Sequence, residues 1–299
     1  MDHRRFLVIG ATGKQGGAVL DNLLASISAQ SHQILALTRN AETARAKLLA
    51  SNPNVILVRG DLSHIEAIFE KAGPIDGVYC VSVPGKSRVE ESQAKSLIDA
   101  SIAHGVKHFV FASVDRGGPK LSNETPTSVP HFASKHRIEA YLKERTGSAQ
   151  SSMKWTILRP VVFMENLSPD FLGKTFAAMW AGLGTTSLQL VAIKDIGHFG
   201  AAALIEPEKY QGREIGIAGD ELTYEEASKI FQQTMGFAMP TVFSFLGAGI
   251  QLMVKELRTM FSWFKMDGYK VDIEALRMEY PELQDFRTWL EKSSKFEKC

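Results

Sequence analysis

Between residues 6 and 17 the chain reads Phe6-Leu7-Val8-Ile9-Gly10-Ala11-Thr12-Gly13-Lys14-Gln15-Gly16-Gly17, and apolar residues resume at helical spacing in Ala18-Val19-Leu20-Asp21-Asn22-Leu23-Leu24. A short apolar run broken by glycines and followed by a helix-period pattern is a strand, a tight turn and a helix. That unit presents a helix N-terminus to a phosphate. The glycines at 10, 13 and 16 are spaced G-x-x-G-x-x-G rather than the commoner G-x-G-x-x-G. The same roles can still be filled. Gly10 permits the sharp turn, Gly13 lets backbone N–H groups approach a pyrophosphate, and Gly16 or Gly17 lets the helix pack close to the strand. An ordinary glycine-rich turn has the same appearance, so the strands that follow decide between the two.

Those strands alternate with helices. Gln33-Ile34-Leu35-Ala36-Leu37-Thr38, Val55-Ile56-Leu57-Val58, Gly77-Val78-Tyr79-Cys80-Val81 and the run from Val106 to Ser113 are nearly continuous apolar segments, with helical patterns at 41–50, 65–71 and 90–104 between them. Strands of this kind separated by helices require a parallel sheet covered on both faces, so the expected architecture is α/β, a doubly wound parallel sheet. Lys154-Trp155-Thr156-Ile157-Leu158-Arg159-Pro160 reads as a sixth strand, after which the alternation fades. The chain is therefore read as a main domain over 1–160, completed by returning segments, and a smaller C-terminal α/β region over 161–299 that forms the other wall of a cleft. The apolar stretch 237–264 reads as helical core, and Thr223 to Glu226 as a capping box opening a helix.

Ligands of such sheets bind beyond the carboxyl ends of the strands. The second strand closes on Thr38-Arg39-Asn40, where an NAD-preferring domain places an acid. Arginine there suits a 2′-phosphate, and Lys14 adds a second positive charge. Asp61 closes the third strand, where it can accept from an adenine amino group or help cap the next helix. Ser82 and Val83 follow the fourth strand, and Ser113 closes the fifth.

Bulk properties exclude other classes. With 34 basic and 33 acidic residues the 299-residue chain has no overall field to gather nucleic acid or an anionic membrane. The apolar run after Arg4-Arg5 is too short for a secretory signal, and the longest apolar stretch, 242–254, falls short of the ~20 residues of a membrane span. Two cysteines do not make a disulfide framework, and the eight histidines show no metal-binding spacing. The expected location is cytoplasmic, with the nucleus as a second compartment, and no metal is expected.

The pattern resembles the NmrA-like family of atypical short-chain dehydrogenases/reductases, including its NADPH-sensing members. The pieces that carry the resemblance are the glycine turn, Thr38-Arg39-Asn40, Gly60-Asp61, His131-Phe132-Ala133-Ser134-Lys135, Leu158-Arg159-Pro160, Phe163-Met164-Glu165-Asn166-Leu167, Lys194-Asp195-Ile196-Gly197 and Asp285-Phe286-Arg287-Thr288-Trp289-Leu290. The resemblance implies a Rossmann domain that binds NADP, with NADPH preferred over NADH. Gly10, Ala11, Thr12, Gly13, Lys14, Gln15 and Gly16 would hold the pyrophosphate, and Arg39 with Asn40 the 2′-phosphate. Asp61 and Leu62 would meet the adenine, Ser82 and Val83 the ribose side, and Lys135 the nicotinamide ribose. Phe163, Met164, Glu165 and Asn166 would line the nicotinamide end. A protein partner or a homodimer is implied as well.

Enzymatic relatives commonly place Ser or Thr after the fifth strand and Tyr-x-x-x-Lys on the next helix. Here Ser113 and Lys135 are present but the tyrosine is His131. Residues 131, 135, 138 and 142 share one helical stripe, which directs Lys135 to the sheet and leaves His136, Glu139 and Lys143 on the opposite, solvated face. If the protein is an enzyme, Lys135, His131 and Ser113 are its catalytic candidates, and a lysine-based reduction of a small apolar carbonyl, quinone or enone is open to it. The missing tyrosine favours the other reading, a regulator responding to the NADPH/NADP ratio.

Overall fold

The computed structural model describes residues 3–26, 32–82, 87–148, 151–242 and 255–298. The chain forms two compact units, each assembled from three segments: Met1–Ser113, Ser134–Arg159 and Ile196–Ile215 make the first, and Val114–Ala133, Pro160–Asp195 and Gly216–Cys299 the second.

The first unit is built on a seven-stranded sheet. In chain order its elements are β1 (Arg5–Val8), α1 (Lys14–Ala25), β2 (Gln33–Thr38), α2 (Ala44–Ala50), β3 (Val55–Arg59), α3 (Ile65–Ala72), β4 (Gly77–Val81), α4 (Ser87–Ala103) and β5 (His108–Ala112). After α5 (Gly118–Glu124), which belongs to the second unit, come α6 (Pro130–Thr146), β6 (Lys154–Pro160), α8 (Ile193–Ile205), α9 (Pro207–Tyr210) and β9 (Arg213–Ile217), of which residues 130–133, 160, 193–195 and 216–217 are part of the second unit. The strand order is β3-β2-β1-β4-β5-β6-β9, and the paired registers from β3 through β6 are parallel. The order reverses between β1 and β4, which makes the carboxyl ends of those strands the switch point at which such sheets bind ligands. The fold expected from the strand pattern is the one observed.

Burial follows from the composition of the strands. β5 is buried at every residue, as a central parallel strand covered on both faces must be, whereas the edge strand β3 exposes Ile56. Helix α8 lies against α1 through glycines: a Cβ at Gly197 would stand 2.6 Å from the Ala18 carbonyl, and one at Gly200 2.6 Å from Val19 Cγ2 and 2.9 Å from the Tyr79 ring. Any larger residue would push the two helices apart.

One polar cluster is buried inside this unit. Arg159, only 2% exposed, donates from Nη2 to Glu139 Oε2 at 2.7 Å and from Nε to Oε1 at 3.2 Å, and its Nη1 meets Glu214 Oε2 at 3.0 Å. Lys143 pairs with the same Glu214, and the Ser113 hydroxyl donates to Glu139. Glu139 was expected on the solvated face of α6; it is 2% exposed. Ile138 and Leu142 on the expected stripe are both fully buried, but Glu139 lies one turn from Lys135 on the same side of the helix, and Arg159 on β6 makes the carboxylate acceptable there.

The second unit holds a three-stranded sheet, β10 (Asp220–Leu222), β8 (Leu188–Val191) and β7 (Val162–Phe163), with β8 central. Around it are α7 (Phe171–Ala181), α10 (Tyr224–Met235) and helices at Lys255–Met266, Ile273–Glu279 and Phe286–Lys292. Thr223 and Glu226 form the expected capping box. Of the apolar stretch read as helix at 237–264, residues 237–242 are irregular, 255–264 lie in the helix Lys255–Met266, and 243–254 fall outside the described residues. No helix among the described residues is long and apolar enough to cross a membrane.

Removing one partner of a buried ion pair strands the other, which typically costs about 3–5 kcal/mol. Arg159→Ala should lose an amount of that order in urea unfolding, and Arg159→Met combined with Glu139→Leu should recover part of it. An Arg159→Ala protein as stable as wild type would show that the cluster contributes nothing.

Candidate functional site

The glycine turn has the geometry its spacing implies. Gly10 sits at φ +69°, in the left-handed region, and a Cβ there would stand 2.8 Å from Val81 Cγ1. At Gly16 a Cβ would lie 2.4 Å from the Gly10 carbonyl oxygen and 2.5 Å from that of Ile9, so α1 starts directly against the end of β1 only because this residue has no side chain. Gly13 is less constrained, with 3.2 Å to the Gly10 oxygen. It is also the N-cap of α1: no side chain caps the helix, and its first turn holds no acid. The positive end of α1 therefore faces outward with its amide donors open to an anion. Ala11 is buried, Thr12 and Lys14 are exposed, and Gln15 Oε1 is a buried oxygen with no hydrogen bond among the described residues.

At the ends of β2 and β3, Arg39 and Asn40 are exposed while Asp61 and Leu62 are half-buried. Asn40 builds the turn: its backbone N–H donates to Thr38 Oγ1, and its Oδ1 accepts from the Glu42 N–H. Asp61 Oδ1 accepts from the backbone and hydroxyl of Ser63. Those bonds, with a smaller contribution from the Arg39 guanidinium, hold the Asp61 carboxyl below its ordinary range. Arg39 and Asp61 thus feel each other across neighbouring strand ends. The nearby Arg45 is engaged by Asp21 at 2.7 and 2.9 Å, while Arg39 stands exposed at the end of β2 and Arg59 at the end of β3.

On the other side of β1, Lys135 reaches the ends of β4 and β5. Its Nζ donates to Ser82 Oγ at 2.6 Å and to the Ala112 carbonyl at 3.3 Å, stands 3.4 Å from Glu90 Oε1, and lies 5.7 Å above the Phe111 ring. Glu90, with a side chain 4% exposed, was not singled out in the sequence, where nothing separates it from Glu91. Val83 lies outside the described residues. Ser113 does not join Lys135. It is buried, and its hydroxyl donates to Glu139 instead, because the Arg159 cluster stands behind it.

The remaining candidates belong to the second unit. His131 Nδ1 is 2.7 Å from Glu256 Oε1, and its ring packs edge-on to Phe132. It was expected beside Lys135 as one polar pair, but it takes a partner of its own. Phe163 is half-buried, Met164 fully buried and Asn166 exposed. Glu165 accepts from the Ile193 N–H at 3.0 Å and from the Trp289 indole N–H at 3.1 Å, so this carboxylate ties the start of α8 to the last helix. Asp195, two residues on, is fully buried; Oδ2 accepts from the Gln284 N–H at 3.0 Å and Oδ1 has no hydrogen bond among the described residues. Among the described residues no group of three or more His, Cys, Asp or Glu is placed to hold a metal ion.

The sequence profile of the NmrA-like family matches residues 2–291. The chain belongs to the NmrA-like family. Among its NmrA-like relatives is an oxidoreductase of Cladobotryum sp., 27% identical over 77% of this chain and 73% of its own. Triphenylmethane reductase of Citrobacter sp., solved with NADP(H), superposes with a TM-score of 0.74 at 18% identity, covering 98% of this chain and 100% of its own. NmrA, a negative transcriptional regulator solved with NADP, superposes with a TM-score of 0.68 at 17% identity, covering 98% and 96%; it has also been solved with NAD. The NmrA-like fold is thus shared by a reductase and a regulator, and the side chains must separate the two roles.

Burial raises the Asp195 carboxyl from the ordinary 3.8 to about 7. The folded chain therefore holds this proton more tightly than the unfolded chain, so the stability it contributes is present at acid pH and is lost as pH rises through that window. Asp195→Asn should remove a slope of about 1 kcal/mol per pH unit there. The check is the wild-type minus variant difference in unfolding free energy at pH 4.5 and 7.5; a difference independent of pH would exclude the assignment.

Proposed function

We propose that this NmrA-like protein binds NADP(H) and acts as a regulator whose state follows the NADPH/NADP ratio. The residues fit the group. The cradle at Gly10 and Gly16 excludes a Cβ, the α1 N-terminus has no capping side chain, and Arg39 stands at the end of β2 where a 2′-phosphate is read. In this reading residues 10–16 hold the pyrophosphate, Arg39 with Lys14 the 2′-phosphate, Asp61 and Leu62 the adenine, and Ser82 and Lys135 the second ribose. The group itself would supply a hydride.

The observation that carries the regulatory reading is at the tyrosine position. A tyrosine-dependent reductase moves a proton through that phenol while hydride passes. Here the position holds His131, engaged by Glu256, and the accompanying Ser113 hydroxyl is committed to Glu139. What is left is a frame for binding with one ammonium at its end. That ammonium supports a second reading, reduction of a small apolar carbonyl, quinone or enone with Lys135 as proton donor, and the Cladobotryum relative named as an oxidoreductase adds weight to it.

Calorimetric titration with NADPH, NADP⁺, NADH and NAD⁺ tests the cofactor. Arg39→Asp should weaken binding of the two phosphorylated forms by about tenfold or more, from the strength of a charge-assisted contact, and leave the other two nearly unchanged. Equal affinities for all four in wild type would exclude the assignment. A sensor must also respond unequally to its ligands. NADPH and NADP⁺ should therefore differ in affinity or in hydrogen-exchange protection of the protein. Steady NADPH consumption with a quinone or enone, abolished in Lys135→Ala while binding persists, would establish the reductase reading instead.

A further inference from the structure

Lys135 is a cation set among strand ends with its side chain only 14% exposed, and an ion there needs a counter-charge. Its three N–H donors meet three acceptors of different kinds. The contact to Ser82 Oγ is short, at 2.6 Å. Those to the Ala112 carbonyl and to Glu90 are 3.3 and 3.4 Å, longer than the roughly 2.7–2.9 Å of a seated charge-assisted bond. Glu90 therefore acts on Lys135 chiefly through its charge, without taking up a donor in a tight bond. It is itself nearly inaccessible and is held close by the ammonium. Its neighbour Glu91 faces Lys95 and Arg137, at 2.7 Å each, so neither of those cations serves Glu90.

The place of this pair in the sheet matters. Arg39 and Asp61 lie at the ends of β2 and β3, the glycine turn at β1, and Lys135 with Ser82 and Glu90 at β4 and β5. A dinucleotide whose pyrophosphate sits at the β1 turn and whose 2′-phosphate is read at β2 extends its other half over β4 and β5. That half carries the nicotinamide, which is neutral in NADPH and cationic in NADP⁺. An uncompensated ammonium beneath it would oppose the oxidised form and be indifferent to the reduced one.

We propose that Glu90 sets the redox-form preference of the site: by neutralising Lys135 it removes a repulsion that only the oxidised dinucleotide would meet. This rests on the NADP(H)-binding reading above and names the residue through which that site weighs the two forms. Glu90 is a positioning residue. It acts on the ligand through the charge and placement of Lys135.

The test is calorimetric titration of wild type, Glu90→Gln, Glu90→Asp and Lys135→Met with NADPH, NADP⁺ and 2′-phosphoadenosine 5′-phosphate, which lacks the nicotinamide half. Glu90→Gln should weaken NADP⁺ relative to NADPH by about five- to tenfold, the scale of one unit charge at partly screened range. Binding of 2′-phosphoadenosine 5′-phosphate should stay within about twofold, since it reports the adenine half and the general fold. Glu90→Asp should restore most of the wild-type ratio. Adding Lys135→Met to Glu90→Gln should cancel the bias, because the charge being compensated is gone. An unchanged NADP⁺/NADPH ratio in Glu90→Gln, with all three ligands still bound, would overturn the inference. If 2′-phosphoadenosine 5′-phosphate weakens in step with the dinucleotides, Glu90 is merely structural and the inference also falls. Wild type that binds none of the three would instead remove the cofactor reading on which it rests.

Discussion

The start of α1 against the end of β1 is the contact on which the first unit is arranged. With Gly16 lacking a Cβ, the helix begins within van der Waals range of the Gly10 and Ile9 carbonyls, and its amide donors open at the strand end rather than a turn further out. On its other side α1 is approached by α8 at Gly197, where a Cβ would meet the Ala18 backbone, and at Gly200, where one would meet Val19 and Tyr79. Neighbouring strands then follow a simple consequence of order. β1 and β4 are adjacent and the connections leave in opposite directions, so a ligand at the α1 N-terminus has β2 and β3 on one side and β4 and β5 on the other.

A second constraint determines what α6 can present. Glu139 is tied to Arg159, and through Glu214 and Lys143 the cluster joins α6 to β6 and β9. Lys135 is one helical turn before Glu139, so the helix rotation that buries the carboxylate also aims the lysine at the ends of β4 and β5. The cluster takes the Ser113 hydroxyl out of reach of that lysine. A buried polar network and a sparse site are thus two results of one helix orientation.

Much of this arrangement could be read in the sequence, and the exceptions share a cause. The glycine turn, the order of strands and helices, Arg39 at a strand end without an acid beside it, and the capping box at Thr223 are local signals, each explained by a residue and its near neighbours in the chain. Glu139 lies one helical turn from Lys135, on the same side of α6; its charge argued for solvent, and the arginine that makes it acceptable inside lies twenty residues further along the chain. Glu90 went unnoticed because it stands beside Glu91 in a charged run. One of these carboxylates is buried against Lys135, and the other meets Lys95 and Arg137 at the surface. The joint between Glu165, Ile193 and Trp289 was visible only as three separate motifs.

What the amino-acid sequence determined alone is the doubly wound sheet and the glycine turn that opens its first helix, because glycine placement, apolar runs and helical period act over a few residues. What only the tertiary structure decided is the partner of each charge. His131 went to Glu256, Lys135 to Ser82 and Glu90, and Ser113 to Glu139. Those choices join residues far apart in the chain; for the buried Lys135–Glu90 and Arg159–Glu139 pairs the low dielectric of the interior, which makes an unpaired ion so costly, acts only once packing has excluded water.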